Sequence, residues 1–119
     1  MRERGDLDAM RAALRTFNEE RDWSKFHSSR NLAMALSVEA GELLELFLWS
    51  RDDGPQPAVA AREARVAEEA ADVLICLLNF CERAGVDLEP AFWDKLQRNR
   101  ERYPAEKTRG KMLKYDEYE

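Results

Sequence analysis

A chain of 119 residues, 45% hydrophobic and 36% charged, has the length and balance of one globular domain with its own core. Its net charge of −5 excludes the basic footprint of general nucleic-acid binding, and no apolar run approaches the ~20 residues that cross a bilayer. With no apolar signal core between Met1 and Asp6, the expectation is a cytoplasmic protein with neither nucleic-acid nor membrane partners. Five glycines and four prolines leave room for long helices, and the two cysteines, Cys76 and Cys81, read as buried thiols on one helix rather than a disulfide.

The first predicted helix runs from residue 6 to about 21, with Leu7, Met10, Leu14 and Phe17 on one face. The period then breaks, so residues 22–29 read as a loop carrying Trp23, Phe26 and His27, with Ser28 or Ser29 capping the next helix. Aromatics in such a loop either serve a binding site or plug the end of a bundle. The second helix is predicted from about 30 to 51, where Asp52, Asp53, Gly54 and Pro55 stop it. Leu32, Leu36, Leu43 and Leu46 give it one buried stripe, Gly41 lies mid-helix where another helix, or less readily a ligand, can approach, and Trp49 lies two turns beyond Glu42.

After a Pro- and Gly-containing connection, a third helix is predicted from about 58 or 62 to 84, stopped by Gly85. Its run from Val73 to Phe80 is apolar nearly all round and is expected to be deeply buried. Asp87 can cap a fourth helix that ends near Arg102, before Pro104, with Lys95, Asn99 and Arg102 on one face. Residues 104–119 show no sustained period and read as an irregular arm. The expected fold is therefore all-α, a four-helix bundle with helical core 6–103 in a single domain spanning 1–119.

Four acidic residues stand out from this frame. Glu39 falls inside the leucine stripe and Glu42 lies beside it, one turn on; after a gap of 26 residues come Glu69 and Asp72, at the edge of the buried run. Carboxylates among leucines are costly unless paired, neutralised or bound to a cation. A short connection makes helices two and three antiparallel neighbours, which can bring the two pairs face to face. Converging carboxylates repel each other, and Mg²⁺, which prefers hard oxygen ligands and keeps sites for water and phosphate oxygens, answers that repulsion. Acidic pairs three apart are also common on solvated faces, as Glu42 with Glu45 and Glu19 with Asp22 show here. A di-iron or zinc site is disfavoured by a single histidine, His27, and two cysteines five apart.

In these residues the chain resembles the all-α nucleoside triphosphate pyrophosphohydrolases of the MazG-like superfamily, and within it the dCTP pyrophosphatases. The superfamily pattern E-x-x-E, a gap, then E-x-x-D matches Glu39, Glu42, Glu69 and Asp72. Further likeness lies in residues 20–27, 30–32, 41–49, 72–75 and 99–104, and in Arg109, Gly110, Lys114 and Tyr115.

The resemblance implies a bundle of the MazG-like type and cleavage of a nucleoside triphosphate to monophosphate and pyrophosphate. Glu39, Glu42, Glu69 and Asp72 would hold one or more Mg²⁺ ions, with Mn²⁺ a possible substitute, and activate water. Trp23, Phe26, His27 and Trp49 would frame the base and sugar. Lys95, Asn99, Arg102 and Tyr103 would be phosphate or pocket groups, partly across a subunit interface, unless Lys95 and Arg102 belong to a solvated face. A homo-oligomer, dimer or tetramer, is implied, and the apolar third helix suits it.

The animal dCTP enzymes would place a histidine near Leu14 and a tyrosine at Cys76, and both departures bear on base preference. The expected substrate is dCTP or a related pyrimidine deoxynucleotide, with a role in control or sanitation of the nucleotide pool. dUTP or a modified pyrimidine triphosphate is the alternative substrate, and a non-catalytic nucleotide-binding or regulatory module the alternative class.

Overall fold

The computed structural model describes residues 6–48 and 59–117. They fall into two compact units, Met1–Gly85 and Val86–Glu119. The first holds α1 (Leu7–Glu20), a 3₁₀ turn (Ser24–Phe26), α2 (Ser29–Glu45) and α3 (Val59–Ala84). The second holds α4 (Leu88–Arg102), the one-turn α5 (Ala105–Thr108) and a 3₁₀ turn (Tyr115–Glu117). The described residues contain helices and no strand, in agreement with the all-α expectation.

Local chemistry sets the boundaries of the first unit. The Asp6 side chain accepts the Ala9 N–H at 3.1 Å, satisfying one of the donors that a helix start leaves unpaired. At the other end of α1, Asp22 adopts a left-handed conformation with φ of 53°. The Trp23 N–H donates to the Asn18 carbonyl at 3.0 Å and the Asp22 N–H to the Glu19 carbonyl at 3.1 Å. This is a Schellman closure with aspartate in the place usually held by glycine. Its accompanying apolar contact is an edge-on packing of Trp23 on Phe17, ring centres 5.5 Å apart. The turn thereby aims Trp23 back along α1.

Ser28 caps α2 by accepting the Asn31 N–H at 3.1 Å, as one of the two predicted caps. α2 ends at Glu45 rather than near residue 51: the Leu46 and Phe47 N–H groups reach back only three residues, at 3.3 and 2.9 Å, and tighten the end into a turn. Trp49 and the predicted stop at 52–55 lie outside the described residues. Gly85, at φ of 71°, ends α3 where expected, because a left-handed residue carries no steric penalty without a Cβ. Asp87 holds the N-cap position of α4 in extended backbone, although its side chain makes no cap hydrogen bond. The arm beyond Pro104 is less irregular than predicted, since the Thr108 hydroxyl donates to the Pro104 carbonyl at 2.9 Å and closes α5.

Within the first unit α2 packs along α3, and α1 also packs on α3. The described core is small: Leu32, Leu46, Leu78 and Cys81 are its buried apolar side chains. Leu36 and Leu43 complete the predicted stripe only as half-buried residues. The expectation of a deeply buried α3 is corrected, because Leu74 and Ile75 are 37% and 41% exposed. A helix apolar on all sides needs neighbours on all sides, and this chain supplies them on part of its circumference.

Gly41 does not mark a close approach either. A Cβ built there meets nothing within 4 Å. Gly41→Ala is therefore expected to raise stability by about 0.4–1 kcal/mol, by restricting the unfolded chain at a position where helix geometry suits alanine. Thermal unfolding at fixed protein concentration checks this, and a loss of stability would mean that another surface closes on Gly41.

Candidate functional site

The facing of α2 and α3 brings the acidic residues together. Glu39 of α2 and Glu69 and Asp72 of α3 each offer an oxygen, and the three oxygens lie within 4.8 Å of one another. Glu39 and Glu69 are half-buried and Asp72 is exposed. Oε2 of Glu39 and Oε2 of Glu69 are sealed from solvent without a hydrogen-bond partner. Buried oxygens in that condition are rare unless a bound water or ion satisfies them. Glu42 stands outside this triangle but meets it. Partial burial, followed by the carboxyl of Glu42 and the charges of Asp72 and Glu69, raises the Glu39 carboxyl above the ordinary range. Glu69 is raised by burial, then by Glu42 and Asp72, with Arg65 opposing. An all-oxygen set of hard donors, two with orphaned lone pairs, fits a divalent cation. Glu45, the last residue of α2, is exposed.

One turn away lies a pocket. Ala35 is four residues before Glu39 on α2, and Cys76 four residues after Asp72 on α3, about 6 Å along each helix axis. Both line an open cavity of about 290 Å³. The 22–28 segment supplies its aromatic wall through Trp23, Phe26 and His27, so these residues frame a cavity rather than plug a bundle end. Phe26 stays 62% exposed, with the Lys25 ammonium 5.3 Å from its ring centre. The rest of the wall comes from α1 (Leu14, Phe17, Asn18), the start of α2 (Asn31, Leu32) and α3 (Ile75, Asn79).

Burial, together with the negative charges of Glu39 and Asp72, pushes the Cys76 thiol up, so it remains protonated at neutral pH. Leu14 and Cys76 both line this cavity. Asn18 and Asn79 were not singled out in the sequence. The available signal was Asn79, an amide inside the apolar run from Val73 to Phe80.

Lys95, Asn99 and Arg102 lie on α4 and Tyr103 at its C-cap, in the second unit; Lys95 and Arg102 are exposed and Asn99 half-buried. The Tyr103 N–H donates to the Asn99 carbonyl at 2.8 Å. Among the described residues no helix is long and apolar enough to cross a membrane.

Comparison with known proteins agrees with this geometry. The chain is 44% identical to dCTP pyrophosphatase 1 of Mus musculus over 111 residues, 92% of this chain and 65% of that protein. It is likewise 44% identical to dCTP pyrophosphatase 1 of Homo sapiens over 113 residues, 93% of this chain and 66% of the other. It thus spans about 65% of the length of these curated relatives. The crystal structure of a pyrophosphatase from Archaeoglobus fulgidus superposes with a TM-score of 0.78 at 36% identity, covering 87% of this chain and 97% of that one. The model of the MazG-like family matches residues 34–117, from the helix that carries Glu39 into the arm. With the acidic cluster formed between α2 and α3, the chain belongs to the MazG-like family.

Proposed function

We propose that this chain is a Mg²⁺-dependent nucleoside triphosphate pyrophosphohydrolase acting on dCTP or a related pyrimidine deoxynucleotide. One observation carries the reading: three carboxylates from two helices, two with orphaned oxygens, meet one helical turn from an aromatic-walled pocket. The names of the relatives that are 44% identical supply the chemistry and the base.

Glu39, Glu69 and Asp72, with Glu42 alongside, would hold the cation. When bound, Mg²⁺ neutralises phosphate charge and lowers the pKa of water. The chain's own residues do the rest. Trp23 and Phe26 offer ring faces for the base, His27 lies beside them, and the spacing of pocket and cluster along α2 and α3 suits a base at one end and phosphates at the other. A carboxylate of the cluster takes the proton of the attacking water. Water adds across the α–β phosphoanhydride, one P–O bond forms and one breaks, and monophosphate and pyrophosphate leave. Trp49 is assigned to the same base pocket, and Lys95, Asn99, Arg102 and Tyr103 to phosphate binding, on the strength of the family resemblance. A homo-oligomer, dimer or tetramer, is part of the proposal, supported by the exposed apolar residues Met34 and Val38 on α2 and Leu74 on α3. Two free thiols suit a cytoplasmic location.

The test is pyrophosphate release from dCTP, dUTP, 5-methyl-dCTP, dTTP, dATP and CTP, with and without Mg²⁺, beside Glu42→Gln. Mg²⁺-dependent release led by pyrimidine deoxynucleotides, and its loss in Glu42→Gln, are expected. A folded protein that releases none from any of them is not this enzyme, and retained nucleotide binding would then identify a binding module.

A further inference from the structure

The pocket contains one feature that neither stacking nor the acidic cluster uses. Asn18, on α1, is 8% exposed and is the buried polar residue of the described core. Its Nδ2 donates to Oδ1 of Asn79, on α3, at 2.9 Å, and both amides line the cavity. An amide set among apolar helix faces is costly unless its hydrogen bonds are made.

Each side-chain amide has two N–H donors and an oxygen with two lone pairs. The bond between them uses one donor of Asn18 and one lone pair of Asn79. What remains whole is the oxygen of Asn18 and the NH₂ of Asn79, beside one further N–H on Asn18 and one further lone pair on Asn79, and none of these atoms is among the sealed, unpartnered ones. They therefore retain access to solvent and to whatever enters. If both amides are turned over, the bond reverses and the pair still presents one oxygen and one NH₂. The other polar groups of the wall are differently placed. Asn31 gives one N–H of its amide to the Phe26 carbonyl at 3.3 Å, which ties that side chain to the aromatic segment, and the Cys76 thiol is a weak partner. Trp23 and Phe26 present ring faces, which accept any base.

We infer that the Asn18–Asn79 pair is the specificity-determining element of this pocket, reading the hydrogen-bonding edge of a pyrimidine base. An acceptor beside a donor complements N4–H₂ and N3 of cytosine. With both amides turned it complements O4 and N3–H of uracil. The inference rests on the proposed nucleotide pyrophosphohydrolase activity and adds to it the residues that choose the base.

The experiment compares dCTP, dUTP and the triphosphate of 2,4-difluorobenzene deoxyriboside, an apolar base with the outline of uracil and none of its hydrogen bonds. A site that hydrogen-bonds its substrate rejects an analogue lacking those groups, because its own polar atoms are left unpaired. The wild-type chain is expected to prefer the natural pyrimidines over the apolar one by at least about a hundredfold in kcat/KM. In Asn79→Leu and Asn18→Leu that preference falls to within about threefold, mainly through loss of the natural substrates. A merely structural pair would lower all three substrates together and leave the ratio unchanged, which overturns the inference; so does a wild type that does not distinguish the bases.

Circular dichroism and Mg²⁺-induced thermal stabilisation verify that each variant is folded with its acidic cluster intact. If the wild type hydrolyses nothing, the activity reading fails by itself. Binding of dCMP, dUMP and the apolar monophosphate, followed by tryptophan fluorescence, then decides the inference by the same ratios.

Discussion

Replacing Glu39 by glutamine is expected to abolish activity and stabilise the metal-free protein at once. Glutamine keeps the shape of the side chain and removes one negative charge from a group of four. Pyrophosphate release should fall by about a hundred- to a thousandfold, in the range that follows loss of a group stabilising charge in a transition state. The metal-free melting temperature should rise by about 2–4 °C, a shift that in a domain of this size corresponds to under 1 kcal/mol.

The cause of the second effect is visible in the fold. Glu39 is held above the ordinary carboxylate range first by partial burial and then by Glu42, Asp72 and Glu69. Those causes disfavour the charged form, and glutamine escapes all of them. Melting curves in chelator, set beside turnover in Mg²⁺, separate this outcome from its opposite. A variant that loses both activity and metal-free stability would show that the cluster is a satisfied structural network, and the cation reading would go with it.

That opposition between function and stability extends beyond the cluster. In the first unit a small buried core supports a repulsive acidic group and an open cavity. Compensation comes partly from α1, whose Arg15 makes a two-pronged ion pair with Glu82 of α3, at 2.9 and 3.2 Å. Both side chains are about half exposed, so solvent screens the pair and it contributes far less than the largest packing terms. Further burial is available on the outward apolar residues of α2 and α3, which is why a second copy belongs in the proposal.

The fold was legible wherever local chemistry decides it. Asp6, expected to begin the first helix, is its cap, Ser28 is one of the two expected caps of α2, and Gly85 ends α3. The facing of Glu39 with Glu69 and Asp72 followed from spacing and a short connection, because both act on antiparallel helices through simple periodicity. Three things were not legible. The early end of α2 depends on three-residue hydrogen bonds at Leu46 and Phe47, with no punctuating residue beside them. The exposure of Leu74 and Ile75 was missed because an apolar run says that a surface seeks cover, not that the same chain provides it. The Asn18–Asn79 pair joins residues 61 apart, on helices whose register no local pattern reveals. Asn79 alone carried a hint, as an amide in an apolar run.

Raising the pH is expected to destabilise the metal-free cluster and to increase the stabilisation that Mg²⁺ confers. Glu39 and Glu69 have folded-state values above those of the unfolded chain. Between the ordinary carboxylate value and the raised one, the folded state binds more protons than the unfolded state. Stability from these two groups is therefore greatest below that window, falls as pH rises through it, and stays low above it. Glu82 acts in the opposite sense. The Arg15 guanidinium holds it low, so its contribution is complete above the ordinary carboxylate value and is lost as pH falls through its depressed one. A bare melting curve against pH thus mixes two trends, and the difference between curves with and without Mg²⁺ isolates the cluster. That difference should be near zero where Glu39 and Glu69 hold their protons, then grow with pH and level off once both are charged, because cation and proton compete for the same oxygens. Titration calorimetry in buffers of different ionisation enthalpy should register proton release on Mg²⁺ binding inside the window and none above it. A Mg²⁺ gain that is flat across the window would remove Glu39 and Glu69 from the ligand set, whatever the activity measurements give.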